Sequence, residues 1–193
     1  MEIVLASASP RRRALLEMLG VRGFKIIPAE TGEEAPDAGP ADAVCHIALM
    51  KARKVSEECP AGALVIAADT LVYLDGEALG KPKSADEAGA MLRRLSGRDH
   101  TVYTGVALVK DGREMTFAES TGVFFRPMSD EEIAAYVKTG EPMDKAGAYG
   151  AQGRGAVFIE RIDGDFFNVM GLPLCRLVTM LRRFGVDLIN TEE

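Results

Sequence analysis

The chain has 193 residues, 47% of them apolar and 27% charged, an ordinary soluble composition that needs no metal or disulfide staple to fold. Its length suits a single domain over residues 1–193, or two small lobes sharing a core. With 29 acidic against 23 basic residues the net charge is −6, which argues against a nucleic acid partner, and no run approaches the roughly 20 apolar residues that cross a bilayer.

Residues 3–6 read as a short buried strand, too short for a secretory signal. A helix follows over residues 11–19, with Ser9 as N-cap, Pro10 at the first helical position and Gly20 as the stop. Residues 24–28 read as a second strand and residues 30–39 as an acidic loop. A longer helix covers residues 40–58, with Val44, Ile47, Ala48 and Val55 on one face. The continuous apolar run 63–68 predicts a central strand that Asp69-Thr70 ends. Residues 71–74 and 77–79 flank Asp75-Gly76, a two-residue hairpin signal. Ser84-x-x-Glu87 predicts a capping box and a helix to Leu95. Strands at 100–109 and 113–125 surround Asp111-Gly112. A second capping box, Ser129-x-x-Glu132, opens a helix ending near Gly140. Residues 140–155, rich in glycine, read as a functional loop, followed by a strand at 156–162 and a closing helix at 173–184. The elements mix without strict βα alternation and predict an α/β fold, a mixed twisted sheet with flanking helices and a central cleft.

Several residue groups suggest anion chemistry. Ser7-Ala8-Ser9-Pro10-Arg11-Arg12 stands between a strand and a helix, where exposed N–H groups and the helix dipole attract phosphate. Residues 1–25 hold Arg11, Arg12, Arg13, Arg22 and Lys25 against Glu2 and Glu17. The bland alternative is an N-cap with a solvated basic start, although three arginines there oppose the dipole. Asp69 can bind a divalent cation or deprotonate water, or simply cap a turn. Lys81 and Lys83 lie on the Gly80-Lys81-Pro82-Lys83 loop and can neutralise phosphate, or stay solvated. Lys51 and Lys54 fall three apart on the long helix, so one can reach inward while the other stays in water. In the stretch Asp144 to Gly153, glycines allow close backbone approach and Gln152 offers both donors and an acceptor to a nucleobase edge. Together these groups suit a nucleotide polyphosphate with a metal ion. The chain lacks the G-x-x-x-x-G-K-[ST] phosphate loop. Cys45, Cys59 and Cys175 show no metal-ligand spacing and read as reduced thiols, and His46 and His100 read as structural.

The stretches 5–12, 67–70, 80–82, 144–150, Gln152-Gly153 and 171–174, taken in order, resemble the Maf nucleotide pyrophosphatases. The resemblance spans nearly the whole chain. It implies a fold related to inosine triphosphate pyrophosphatases, and hydrolysis of a nucleoside triphosphate to monophosphate and pyrophosphate with a divalent cation, Mg2+ or Mn2+. It implies a cytoplasmic enzyme, often a homodimer, with no membrane or nucleic acid partner. By the same resemblance Asp69 is the proton acceptor. Arg11, Thr70 and Gln152 set substrate choice, and Ser7, Ser9, Arg12, Lys51 and Lys81 line the phosphate cleft. Glu33, with Asp69, would hold the metal, though Gly32 stands where the family usually has Asp. The form of residues 144–153 resembles the branch acting on dTTP and UTP, with modified pyrimidine nucleotides as a further class. Two other readings stay open: the branch acting on 7-methyl-GTP, and a nucleotide-binding regulator of cell division and septum formation. A pure binder needs no carboxylate such as Asp69 at the cleaved bond.

Overall fold

The computed structural model describes residues 1–29 and 38–189. It contains a seven-stranded mixed sheet in the order β2-β1-β3-β5-β6-β7, with β4 paired to β3. The strands are β1 (Ile3–Leu5), β2 (Lys25–Ile26), β3 (Leu64–Leu74), β4 (Glu77–Leu79), β5 (Asp99–Lys110), β6 (Arg113–Phe125) and β7 (Ile159–Asp163). The helices are α1 (Pro10–Met18), α2 (Pro40–Ser56), α3 (Ala85–Leu95), α4 (Asp130–Lys138), α5 (Phe166–Val169) and α6 (Leu174–Arg182). The β1–β2 and β1–β3 ladders are parallel, whereas β3–β4 and β6–β7 are antiparallel.

The chain divides into two compact units. Unit 1 comprises residues 1–69, 104–119 and 171–193; unit 2 comprises residues 70–103 and 120–170. In the core of unit 1, Ala48, Ala52 and Val55, on one face of α2, meet Val4, Ala6, Val65, Ala67 and Ala107. Those small side chains let helix and sheet approach closely. At Gly105 the approach leaves no room at all: a Cβ there would overlap the Val44 carbonyl and the Cys45 nitrogen. In unit 2, Ala88, Leu92 and Leu95 of α3 and Ile133 and Tyr136 of α4 pack with Val72, Leu74, Val102, Val123, Phe125, Tyr149 and Phe158.

Local chemistry accounts for most boundaries. Ser9 caps α1 by accepting from Arg12 N, with Pro10 at its start. The Asp75-Gly76 and Asp111-Gly112 turns have positive φ at both residues, 54° and 83° in the first and 48° and 76° in the second, as two-residue hairpins require. Ser129 and Glu132 form the reciprocal capping box of α4. Only half of the other box forms. Ser84 Oγ accepts from Glu87 N, but the Glu87 carboxylate accepts from Lys83 N, at 2.7 Å, one residue before the cap.

Two further expectations are corrected. Asp69-Thr70 does not end a strand: β3 runs unbroken to Leu74. The polar pair marks a change of partner, because Leu64–Ile66 pair with β1 and Val72–Leu74 with β4. β7 starts at Ile159 rather than at residue 156, since Arg154–Phe158 forms a 3-10 turn after Gly153, whose φ of 130° breaks the extended run. The short helix α5 was not anticipated; Asp165 caps it by accepting from Phe167 N at 2.7 Å. No helix among the described residues is long and apolar enough to cross a membrane.

Candidate active site

In unit 1, β1 passes through Ala6, whose N–H still bonds the Ile66 carbonyl at 2.8 Å, into Ser7. Ser7 is buried, and its Oγ accepts from Ser9 N and from Arg12 Nη1, each at 3.2 Å. Arg12 Nε donates to the Gly171 carbonyl at 2.8 Å. The guanidinium is thus fixed by two acceptors from opposite ends of the chain. Gly171, in the left-handed region at φ 102°, gives the Gly171-Leu172-Pro173-Leu174 stretch a role that its residue types did not suggest. Arg13 turns outward and pairs with Glu17 at 2.8 Å. Arg11 and Ser9 are half-buried at the same helix start. The three arginines therefore differ: one is tied inward, one lies on the outer face and one is half-buried at the N-terminal turn.

Lys51 of α2 donates to Asp69 Oδ1 at 2.7 Å, and the two side chains are only 12% and 15% exposed. Lys54 is exposed, so the three-residue spacing places one lysine inward and the other in solvent. Asp69 is thus a carboxylate held on an ammonium, in mid-strand between the stretches paired to β1 and β4. Such a group can accept a proton from water.

The remaining predicted residues that the structure describes belong to unit 2. Thr70 follows Asp69 on β3 and is half-buried. Lys81 is exposed beside buried Pro82. The preceding Gly80 carbonyl accepts from Gly147 N at 3.1 Å, joining the lysine loop to the glycine-rich stretch. Gly147 has φ 67°, and a Cβ there would lie 2.9 Å from Val72 Cγ2. Lys145, nearly buried, donates to Asp144 Oδ1 and to the Glu141 carbonyl, both at 2.6 Å. Gln152 is exposed, with its amide available to a ligand.

Two residues of this region, Glu141 and Tyr136, escaped the sequence reading. Glu141 accepts from the Tyr136 hydroxyl and from the backbone of Arg154 and Gly155. Burial opposes its charge, yet those N–H groups, the hydroxyl and Lys145 together hold its carboxyl below the usual range. Tyr136 bridges that carboxylate to Gly150 N. His100, read as structural, bonds the Tyr149 hydroxyl at 2.7 Å and packs edge-on against Phe125 and Tyr149. Burial lowers its pKa to about 4, with Asp99 opposing, and pushes Tyr149 upward. The one available signal was an acid six residues ahead of Gly147, the first of the spaced glycines 147, 150, 153 and 155, whose N–H groups need acceptors.

Among the described residues no three His, Cys, Asp or Glu side chains converge as a metal site. Glu33 lies outside the described residues. A single carboxylate still suits magnesium, which keeps several waters and takes other ligands from substrate phosphates. Asp69 fits that donor role.

The family described as Maf-like protein matches residues 2–184. The chain is 54% identical over 190 residues to a dTTP/UTP pyrophosphatase of Symbiobacterium thermophilum, covering 98% of this chain and 97% of that one. It is 49% identical over 185 residues to a dTTP/UTP pyrophosphatase of Geobacillus sp. (strain WCH70), covering 95% and 98%. A solved HAM1 protein from Coxiella burnetii superimposes with a TM-score of 0.51 at 19% identity, over 95% of this chain and 99% of that one, a likeness of fold.

Proposed function

Since the chain belongs to the Maf-like protein family, we propose that it hydrolyses dTTP and UTP to the monophosphate and pyrophosphate. The observation that carries the reading is Asp69, held at 2.7 Å by Lys51 and little exposed, in a chain whose close relatives bear that name. Asp69 accepts a proton from the attacking water as its oxygen bonds to phosphorus, and the α–β anhydride bond breaks with pyrophosphate leaving. Arg11, Arg12, Lys51 and Lys81 offset phosphate charge, and Ser7 and Ser9 order the entrance through Arg12 and the α1 cap. Asp69 is also the residue that would hold Mg2+ or Mn2+, whose charge neutralises phosphate oxygens when bound. Thr70 and Gln152 supply base selectivity, Gln152 through its amide on the uracil or thymine imide edge. Three free thiols support a reducing, cytoplasmic setting.

The test is product analysis across dTTP, UTP, CTP, GTP and 7-methyl-GTP, with and without Mg2+ or Mn2+. Monophosphate and pyrophosphate, fastest from dTTP and UTP, are expected. Release of diphosphate and single phosphate would overturn the chemistry. Strong 7-methyl-GTP turnover with idle dTTP and UTP would move the enzyme to the other branch.

A further inference from the structure

Gln152 is the exposed tip of a short backbone excursion whose two flanks converge on one carboxylate. On the near flank Gly150 N donates to Tyr136 Oη at 3.1 Å, and Tyr136 Oη donates to Glu141 Oε1 at 2.9 Å. On the far flank Gly155 N donates to Oε1 at 3.1 Å and Arg154 N to Oε2 at 3.0 Å. Both carboxylate oxygens are therefore engaged by the loop that carries Gln152. The glycines pack on the same group. A Cβ at Gly153 would lie 2.9 Å from Glu141 Oε1, and one at Gly155 would lie 2.6 Å from Tyr136 Oη. A Cβ at Gly150 would lie 2.8 Å from Lys145 Cε, and Lys145 Nζ is bound to the Glu141 carbonyl. The glycines thus let the chain close around a half-buried acceptor, besides any approach they permit to a ligand.

We propose that Glu141 is a positioning residue for base selectivity: its carboxylate clamps both flanks of the Gln152 loop and so aims the amide at the pyrimidine edge. The inference rests on the reading that Gln152 contacts the base. Glu141 need not touch substrate. Its effect passes through the geometry of residues 150–155. Tyr136 is its relay to the near flank, because its hydroxyl both donates to the carboxylate and accepts from Gly150 N.

The experiment compares kcat/KM for dTTP and CTP in Glu141→Ala, Glu141→Gln, Gln152→Ala and the Glu141→Ala/Gln152→Ala double variant. It also measures native-state trypsin cleavage after Arg154, which is exposed and whose N–H bonds the carboxylate. Glu141→Ala should lower the dTTP:CTP ratio about tenfold, the scale of one well-placed hydrogen bond. Glu141→Gln keeps a carbonyl for Oε1 but turns an NH2 toward the Arg154 N–H, so its ratio should fall less, about threefold. The double variant should lose no more selectivity than Gln152→Ala alone, since both act through one amide. Cleavage after Arg154 should quicken in both Glu141 variants. A folded Glu141→Ala protein with unchanged selectivity and unchanged cleavage overturns the proposal, as do fully additive losses in the double variant. If Glu141→Ala fails to fold, the graded loss in Glu141→Gln decides by the same criteria. If Gln152→Ala leaves the ratio intact, base reading by Gln152 falls, and with it the selectivity role. Cleavage after Arg154 then separates a clamp that still holds the loop from no clamp at all.

Discussion

The serine–arginine entrance of unit 1 and the glycine loop of unit 2 place polar groups by opposite means. In unit 1 the groups come from regular elements: a strand end, a helix cap, a helix face and mid-strand Asp69. In unit 2 the region around Gln152 is a chain of short 3-10 turns whose shape depends on Glu141, Tyr136, Lys145 and glycines with no space for a Cβ. Charge for phosphate can be presented by rigid scaffolding with modest directional demand. Discrimination between bases needs one amide in one orientation, so its backbone must be held from several sides.

The largest effect expected on that contrast comes from Asp69→Asn. It removes the carboxylate proposed to accept the proton, with little change in volume, and kcat should fall on the order of 100-fold or more for every triphosphate alike. A loss confined to pyrimidine substrates would erase the division of labour between the two regions.

Glycines sharpen it next. Gly105→Ala would press on the Val44 carbonyl and should destabilise the protein by about 2–3 kcal/mol without altering base preference, read by thermal melting and kcat/KM ratios. Gly153→Ala, with φ 130° and the Glu141 carboxylate at 2.9 Å, should instead alter selectivity. Similar selectivity in both variants would show that the two sets of glycines serve packing alike.

Arg12→Lys tests the entrance. A lysine cannot serve both the Gly171 carbonyl and Ser7 Oγ with a fixed fork, so KM should rise several-fold for all triphosphates, with about 1 kcal/mol of stability lost. Unchanged KM would reduce Arg12 to a structural strut.

The gentlest probe near neutral pH is His100. Its folded pKa of about 4 lies below the value of about 6.5 of an unfolded histidine. The unfolded chain therefore binds the extra proton first, and stability is full above pH 6.5 and lost as pH falls toward 4, at up to about 1.4 kcal/mol per pH unit. His100→Gln should flatten that part of the melting-temperature profile relative to the unaltered protein. Parallel profiles would show that His100 does not titrate apart from the unfolded state.

The reading of residue types anticipated the elements governed by near neighbours. Both Asp-Gly hairpins, the Ser9 and Ser129 caps, the long α2 and the buried 63–68 run depend on contacts within a few residues, which composition and spacing encode. That one of Lys51 and Lys54 reaches inward was legible from their spacing, but that it is Lys51 came from the structure. Asp69 was visible as a candidate, but its mid-strand position was not, since a polar pair looks like a strand end until the partners on each side are known.

What the amino-acid sequence by itself determined is the set of local elements, the chemistry of the polar groups and, through ordered motifs, the family. Tertiary structure alone decided which groups meet. Arg12 finds the Gly171 carbonyl 159 residues away, and Gly105 is required by the backbone of a helix some sixty positions earlier. Glu141 gathers Tyr136, Arg154 and Gly155, residues that no short-range period relates. The physical reason is range: caps, turns and periodicity are satisfied within a turn or two of chain. An acceptor for a buried donor, or the absence of room for a methyl group, is set by whichever distant segment packing brings alongside.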